Sequence, residues 1–141
     1  IAIPSGNWQG HLDVVVDDRD RAHLMELRKK YGNIHRDLWN PFDKMNEGVL
    51  GCQTMSKLYV TPNGDIFPCS FMHISLGNVY EQKLKDIIEF GYSIRYFHDH
   101  SEKCLAGEDL SFIEKFMVDK KMSVMAPLDA REIFTEEDYI K

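Results

Sequence analysis

The sequence predicts an α+β fold, and three observations support this. Two β-prone runs flank Asn63-Gly64, the dipeptide best suited to a tight hairpin turn. Apolar residues recur at helical spacing over residues 19–31, 81–90 and 108–118. The first of these helices follows short apolar runs and a Gly-containing loop, which is the order of elements in a βα unit.

Length and composition limit the size of the fold and the kinds of partner that the chain can bind. The 141 residues suffice for one ordinary domain with a modest core. A net charge of -6 argues against a nucleic-acid partner, because phosphate backbones are bound by basic surfaces. No apolar run approaches the ~20 residues that span a bilayer, so we expect no membrane partner. The chain starts at Ile1 without Met, inside an apolar run, and this start suggests a fragment of a longer protein.

The N-terminal stretch is predicted to contain the end of a strand and one helix. Residues 1–6 are expected to form a strand end and a Gly loop, and residues 12–16 a second short apolar run. Asp17 or Asp18 is predicted to cap the helix over residues 19–31. Its buried face is expected to carry Leu24, Leu27 and Tyr31, with Gly32-Asn33 at its end.

The predicted hairpin places one cysteine at the end of an apolar face. With Asn63-Gly64 as a two-residue loop, Val60 pairs with Phe67 and Leu58 pairs with Cys69. Side chains alternate between the two faces of a strand. The face expected to be buried therefore carries Leu58, Val60, Phe67, Cys69 and Phe71.

Downstream of the hairpin the sequence predicts two more helices and a polar tail. The first covers residues 81–90 and is expected to end at Gly91, and the second opens at Glu108 or Asp109. Residues 129–141 are mostly charged and are expected to form an exposed helix or a disordered tail. The apolar stripes of the two helices are Leu84, Ile87 and Ile88 in the first and Phe112, Ile113 and Phe116 in the second.

The cysteines suggest a metal site. The sequence has three cysteines, Cys52, Cys69 and Cys104. This odd number argues against a fully paired disulfide framework and for a reducing, cytoplasmic compartment. Three core thiols would be an ordinary outcome. However, Cys69 follows Pro68 at a strand end and Cys104 lies in a polar Gly loop, and neither is a typical core position. Thiolates favour zinc or an iron–sulfur cluster, and both remain open at this point.

The fourth ligand of such a site has several candidates. Zinc and iron–sulfur centres usually take four protein ligands, and a fourth cysteine is absent from the sequence. The segment around His98 and His100 is more often a solvated loop, and Glu108 or Asp109 is better explained as a helix cap. The position could also stay open to a substrate atom. The candidate side chains are His73, His98, His100, Glu108 and Asp109.

Between residues 51 and 78 the sequence has, in order, Cys52, the turn Pro62-Asn63-Gly64-Asp65, Pro68-Cys69 and Gly77-Asn78. In this order the stretch resembles the auxiliary-cluster region of radical SAM enzymes, a C-terminal extension of the SPASM and twitch type. Full SPASM domains carry more cysteines and two clusters, so the resemblance implies the shorter twitch form with one [4Fe–4S] cluster. Its ligands would be Cys52, Cys69 and Cys104, with one iron position open or held by another residue. The resemblance extends over residues 48–118, in the order Cys52, a strand, Pro62-Asn63-Gly64-Asp65, a strand ending in Pro68-Cys69, then Gly77-Asn78, a short helix and Cys104.

The resemblance also implies a domain organisation and a function. Residues 1–47 would be the terminal βα segment of a partial radical SAM barrel, residues 48–118 the cluster domain, and residues 119–141 a C-terminal helix or tail. The family's Cys-x-x-x-Cys-x-x-Cys motif is absent, so the chain alone is expected to be inactive, with no catalytic residue. The implied partner is the missing barrel, in the same polypeptide, which would cleave S-adenosylmethionine and act on a peptide or small molecule. The auxiliary cluster would position that substrate or pass an electron.

A second hypothesis is a structural zinc site, or a metal-free interaction domain, with no catalysis. The three cysteines with His73 or His98 would form a tetrahedral site that only holds loops together. The metal content of protein purified without air separates the two hypotheses.

Overall fold

The computed structural model describes residues 10–34, 51–118 and 125–141. Helices and small sheets both occur along these residues, and this mixture is compatible with the predicted α+β class. Short 3-10 turns occur as well, at Leu12–Val14 and Glu136–Asp138. The elements are α1 (Asp18–Tyr31), β1 (Tyr59–Val60), β2 (Ile66–Phe67), β3 (Ile74–Ser75), α2 (Leu84–Ser93), α3 (Arg95–His98), α4 (Leu110–Phe116), β4 (Leu128–Asp129) and α5 (Ala130–Ile133).

The chain divides into two compact units. The first, residues 1–52 and 101–119, contains α1 and α4. The second, residues 53–100 and 120–141, contains the strands and the other described helices. The predicted strand end at residues 1–6 lies outside the described residues, and the three-part division of the chain stays a prediction. None of the described helices combines the length and the apolar character that a bilayer crossing requires.

The ends of α1 are formed as the sequence predicts. The Asp17 carboxylate accepts the Asp20 N–H at 2.8 Å, and the Asp20 carboxylate accepts the Asp17 N–H at 3.2 Å. This reciprocal capping box satisfies two donors that a helix N-terminus otherwise leaves without partners. The Asp20 N–H is also the main reason that the pKa of Asp17 lies below its ordinary value. At the other end, Gly32 adopts a left-handed φ of 68° and donates its N–H to the Arg28 carbonyl.

The predicted buried face of α1 is wrong. Tyr31 is 56% exposed, and Leu24 and Leu27 are only half-buried. The buried residue of the helix is Arg28, whose long aliphatic stem lets an amphipathic side chain lie against other groups. The short apolar run before the helix, residues 12–16, begins with a 3-10 turn at Leu12–Val14.

The hairpin forms, but its register differs by one residue from the prediction. Val60 pairs with Ile66 rather than with Phe67. The loop has three residues, because Thr61 donates its N–H to the Asp65 carbonyl and accepts the Gly64 N–H, both at 2.9 Å. Pro62 explains the shift: it has no N–H for the pair that would close a two-residue loop, while its fixed φ suits the second position of a type I turn. Gly64 then takes the left-handed position, with φ 88°.

Strand β2 is central, and the prediction of one apolar face on the hairpin is wrong. The Ile66 N–H donates to the Gly77 carbonyl at 2.9 Å, and the Ile66 carbonyl accepts the Leu76 N–H at 2.8 Å. Covered on its second edge in this way, β2 buries both Ile66 and Phe67. The edge strand β1 is exposed, with Val60 at 61%. Phe71, also expected on the buried face, is 49% exposed.

Helix α2 runs through the glycine that was expected to end it. Gly91 is buried within the helix, where an added Cβ would lie 2.6 Å from the Met55 Cε. The glycine therefore allows the Met55 side chain to lie against the helix backbone. Ile87 is buried as predicted, whereas Leu84 is 48% exposed. In the first unit, the predicted stripe of α4 is fully confirmed, because Phe112, Ile113 and Phe116 are all buried.

The expectation of an exposed or disordered tail is also wrong. Strand β4 pairs in parallel with β3, in the register Ile74↔Leu128 and Ser75↔Asp129. Phe134 is only 4% exposed, and Tyr139 forms a further bridge with Ile94. The composition of residues 129–141 is mostly charged and did not reveal that Phe134 is buried.

Candidate metal centre

Cys69 lies in a tight turn at the end of β2, in the second unit. Its carbonyl accepts the Met72 N–H at 3.3 Å, and its Sγ accepts the Phe71 N–H at 3.4 Å. Pro68 before it is fully buried, and its carbonyl accepts the Met55 N–H at 3.0 Å. The half-buried Cys69 therefore has one hydrogen bond from the backbone to its sulfur.

Cys52 lies in the first unit beside the segment that leads to Cys104. It is half-buried, and its N–H donates to the Ser101 carbonyl at 2.6 Å. Gly51 before it has a φ of 77°, the left-handed backbone that glycine adopts at little cost. The structure thus brings the Cys52 backbone to a residue only three positions before Cys104.

Both backbone polar groups of Cys104, its carbonyl and its N–H, are hydrogen-bonded to the residues that follow it. Its carbonyl accepts the N–H groups of Gly107, Glu108 and Asp109 at 3.2, 2.8 and 3.0 Å. Its own N–H donates to the Glu108 Oε2 at 2.9 Å. Residues 104–108 are all buried, so the expectation that Cys104 lies at a polar, non-core position is wrong. The bonds within the turn satisfy its backbone groups and allow this burial.

The two acidic candidates for the fourth ligand differ in position. Asp109 is the N-cap of α4: its carboxylate accepts the Phe112 N–H at 3.1 Å and the Ser111 hydroxyl at 2.7 Å. This confirms the cap that the sequence predicts. Glu108 does not cap α4. Its carboxylate is buried, at 3% exposure of the residue, and bonds to Cys104 instead.

The histidine candidates all belong to the second unit. His73 is half-buried, with its ring centroid 5.7 Å from that of Phe67, and burial lowers the pKa of its imidazole. His98 and His100 are exposed, as predicted, although His98 is the last residue of α3 and not part of a loop. The Nδ1 of His98 lies 3.2 Å from the Tyr92 carbonyl oxygen.

The three cysteine side chains are of the chemical type that iron–sulfur clusters take as ligands. Three thiol side chains, one with an N–H bond to its sulfur and one in buried surroundings, supply the ligand type and hydrogen bonding that such clusters take. Cys52 and Cys104 belong to the first unit and Cys69 to the second. Over residues 10–34, 51–118 and 125–141, no three or more His, Cys, Asp or Glu side chains form a group that could hold a metal ion. The joint ligation by the three cysteines stays a prediction.

Sequence reasoning missed the contacts that fix the Cys104 turn. The Lys103 Nζ lies 3.2 Å from the Asp18 carboxylate at the start of α1. The sequence holds only a weak indication of the bond from Cys104 to Glu108. Glu108 and Asp109 both precede α4, and only one of them can be its N-cap. The other acidic residue needed a different partner, and only the folded chain shows which.

Comparison with known proteins gives one family match. Residues 52–106 match the family model of SPASM, an iron-sulfur cluster-binding domain. The match begins at Cys52 and ends two residues after Cys104, so it includes all three cysteines. The predicted resemblance to a SPASM-type auxiliary-cluster region is therefore confirmed. No curated protein and no solved structure gives a significant match.

Proposed function

We propose that this chain binds one auxiliary [4Fe–4S] cluster through Cys52, Cys69 and Cys104, as the C-terminal part of a radical SAM enzyme. The observation that carries the proposal is the SPASM family match, which spans all three cysteines. Iron–sulfur clusters are held chiefly by cysteine thiolates. Three thiolates on a four-iron cluster leave one iron position for another side chain or for the substrate.

The residues around the cysteines support this role. The Phe71 N–H donates to the Cys69 sulfur, and hydrogen bonds of this kind are one of the factors that set a cluster's reduction potential. The buried Cys104 turn keeps water from one ligand. When bound, the cluster would supply an electron carrier or a Lewis-acidic iron that positions a substrate.

The parent enzyme would supply the remaining chemistry. The sequence has no Cys-x-x-x-Cys-x-x-Cys motif, so we expect the chain alone to leave S-adenosylmethionine intact. The implied partner is a radical SAM barrel, and residues 1–47 would be its terminal βα segment. A peptide or a small molecule is the expected substrate, in a reducing cytoplasmic compartment where cysteines remain thiols.

Anaerobic reconstitution of the 141-residue chain with iron and sulfide tests the proposal. The loaded protein should absorb near 400 nm (roughly, as thiolate-bound clusters do) and contain about four irons and four sulfides per chain. Cys52→Ala, Cys69→Ala and Cys104→Ala should each lower the iron content. The control is His23→Ala, at an exposed position on α1 that is not a candidate ligand, which should load like the wild type.

Two results would contradict cluster binding. One is a colourless wild-type chain without iron after reconstitution, although circular dichroism shows it folded. The other is one equivalent of zinc that survives purification without air and whose chelation unfolds the chain, since this is the behaviour of a structural zinc site.

A further inference from the structure

The bonds between Cys104 and Glu108 run in both directions. The Glu108 N–H donates to the Cys104 carbonyl at 2.8 Å, and the Cys104 N–H donates to the Glu108 Oε2 at 2.9 Å. Both backbone polar groups of the cysteine are therefore bound to one residue four positions later. This fixes the peptide planes on either side of the Cys104 Cα, and with them the direction of the Cα–Cβ bond that carries the sulfur.

We propose that Glu108 is a positioning residue for Cys104: its carboxylate holds the cysteine's N–H and so fixes the backbone from which the thiolate would bind the cluster. This inference rests on the cluster binding proposed above. Loss of a group that orients a metal ligand typically lowers metal affinity by about 10- to 100-fold, because a ligand free to turn away exposes its metal bond to exchange.

Burial makes the carboxylate effective in this role. The residue is 3% exposed, within a stretch from 104 to 108 that is buried throughout. A hydrogen bond from an amide to a carboxylate is stronger where water does not compete for either group. The neighbouring Asp109 has a different role, because its Oδ1 accepts bonds from Phe112 and Ser111 in the cap of α4.

Several backbone bonds of the turn do not involve the Glu108 side chain. The Cys104 carbonyl accepts the N–H groups of Gly107 and Asp109 at 3.2 and 3.0 Å, and the Ser101 carbonyl accepts the Cys52 N–H at 2.6 Å. Removal of the Glu108 side chain should therefore free the Cys104 amide without releasing the whole segment.

The test compares variants of the reconstituted chain. Glu108→Gln keeps an oxygen that can accept the Cys104 N–H, whereas Glu108→Ala removes the acceptor. Glu108→Asp keeps the carboxylate but shortens its reach. Glu114→Ala, which removes an exposed carboxylate on α4, is the matched control. The readouts are iron per chain, the rate of iron release to a chelator, and the electron paramagnetic resonance spectrum of the reduced cluster.

We expect Glu108→Gln and Glu114→Ala to release iron at the wild-type rate and to give the wild-type spectrum. Glu108→Ala should release iron about 10- to 100-fold faster, with an altered spectrum, the range typical for loss of a group that orients a metal ligand. Glu108→Asp should also release iron faster than the wild type. If circular dichroism shows that Glu108→Ala does not fold, the iron-release rate of Glu108→Asp tests the positioning role instead.

The proposal is overturned if folded Glu108→Ala matches the wild type in release and spectrum, or if Glu108→Asp does so where Glu108→Ala fails to fold. It is also overturned if Glu108→Gln loses iron as quickly as Glu108→Ala, because the carboxylate would then act by its charge or by contact with iron. A wild-type chain that takes up no iron overturns the proposed function. A loaded wild type with unaffected Glu108 variants overturns only the role of Glu108.

Discussion

At the scale of single residues, the surroundings of each cysteine differ in a way that matters for ligation. Cys69 receives an N–H bond at its sulfur, whereas Cys104 is held through its backbone by Glu108. His73, four residues after Cys69, is packed against the Phe67 ring and partly withdrawn from water. Burial penalises the charged imidazolium, so the pKa of His73 lies below its ordinary value.

This lowered pKa predicts a pH dependence of stability for the metal-free chain. The unfolded chain binds the histidine proton at its ordinary pKa of 6.5, before the folded chain does. Stability should therefore fall as the pH drops below 6.5, and the loss should be complete once the pH lies below the folded pKa. His73→Gln should remove this component, as measured by urea unfolding at several pH values.

The control for this prediction is His100→Gln, because the His100 side chain is exposed. Its unfolding free energy should follow the wild-type pH dependence. If the curves of His73→Gln and the wild type run parallel below pH 6.5, burial of His73 has no effect on its proton affinity in solution.

At the scale of elements, the hairpin depends on the three-residue loop 62–64. Strand β2 lies between β1 and the segment around Gly77, so the loop sets the register of the strand that leads to Cys69. The Asn78 side chain adds a bond to the Asn63 carbonyl at 2.9 Å and accepts the Tyr80 N–H at the same distance. The turn and the next segment are thus joined by side-chain bonds.

Gly64→Ala should destabilise the chain. A left-handed backbone costs a residue with a Cβ about 1–2 kcal/mol, and φ is 88° at this position. The new Cβ would also lie 2.5 Å from the Tyr80 Cδ2 and 2.7 Å from the Asn78 Oδ1. Urea unfolding measures the loss.

Asn63→Ala is the matched control within the same loop. Asn63 is exposed and does not have a positive φ, so the free energy of unfolding should change by no more than about 0.5 kcal/mol. Equal losses for the two variants would mean that both central positions need left-handed backbone, as in the two-residue turn that the sequence predicted.

At the scale of the whole molecule, residues from the far end of the chain complete the second unit. Residues 128–129 extend β3 in parallel, and Tyr139 bridges Ile94. The Phe134 ring packs edge-on against Phe97, with centroids 5.5 Å apart. The C-terminal segment is therefore part of the core of this unit rather than an appendage.

Phe134→Ala should consequently cost about 3–5 kcal/mol of unfolding free energy, the range for loss of a buried phenylalanine. The ring is 4% exposed, and its removal would leave a cavity beside Phe97. The control is Ile140→Ala, at 43% exposure, which should have a much smaller effect. Thermal or urea unfolding gives both values, and a neutral Phe134→Ala would show that the tail is detached in solution.

The sequence alone determined the features that depend on residues close together in the chain. The cap at Asp17, the stop at Gly32, the cap at Asp109 and the apolar stripe of α4 follow from side-chain bonds and spacing within a few residues. The order of cysteines and turn residues likewise identified the SPASM-type region, because these residues lie in one continuous stretch.

Only the tertiary structure decided the features that depend on distant partners. Burial of the tail required β3 as a neighbour, and Gly91 could remain helical because Met55 lies against it. The second edge of β2 was covered by residues ten positions later in the chain. Periodicity reports which side chains share a face, but burial is set by what packs against that face, and that partner is absent from any local window of sequence.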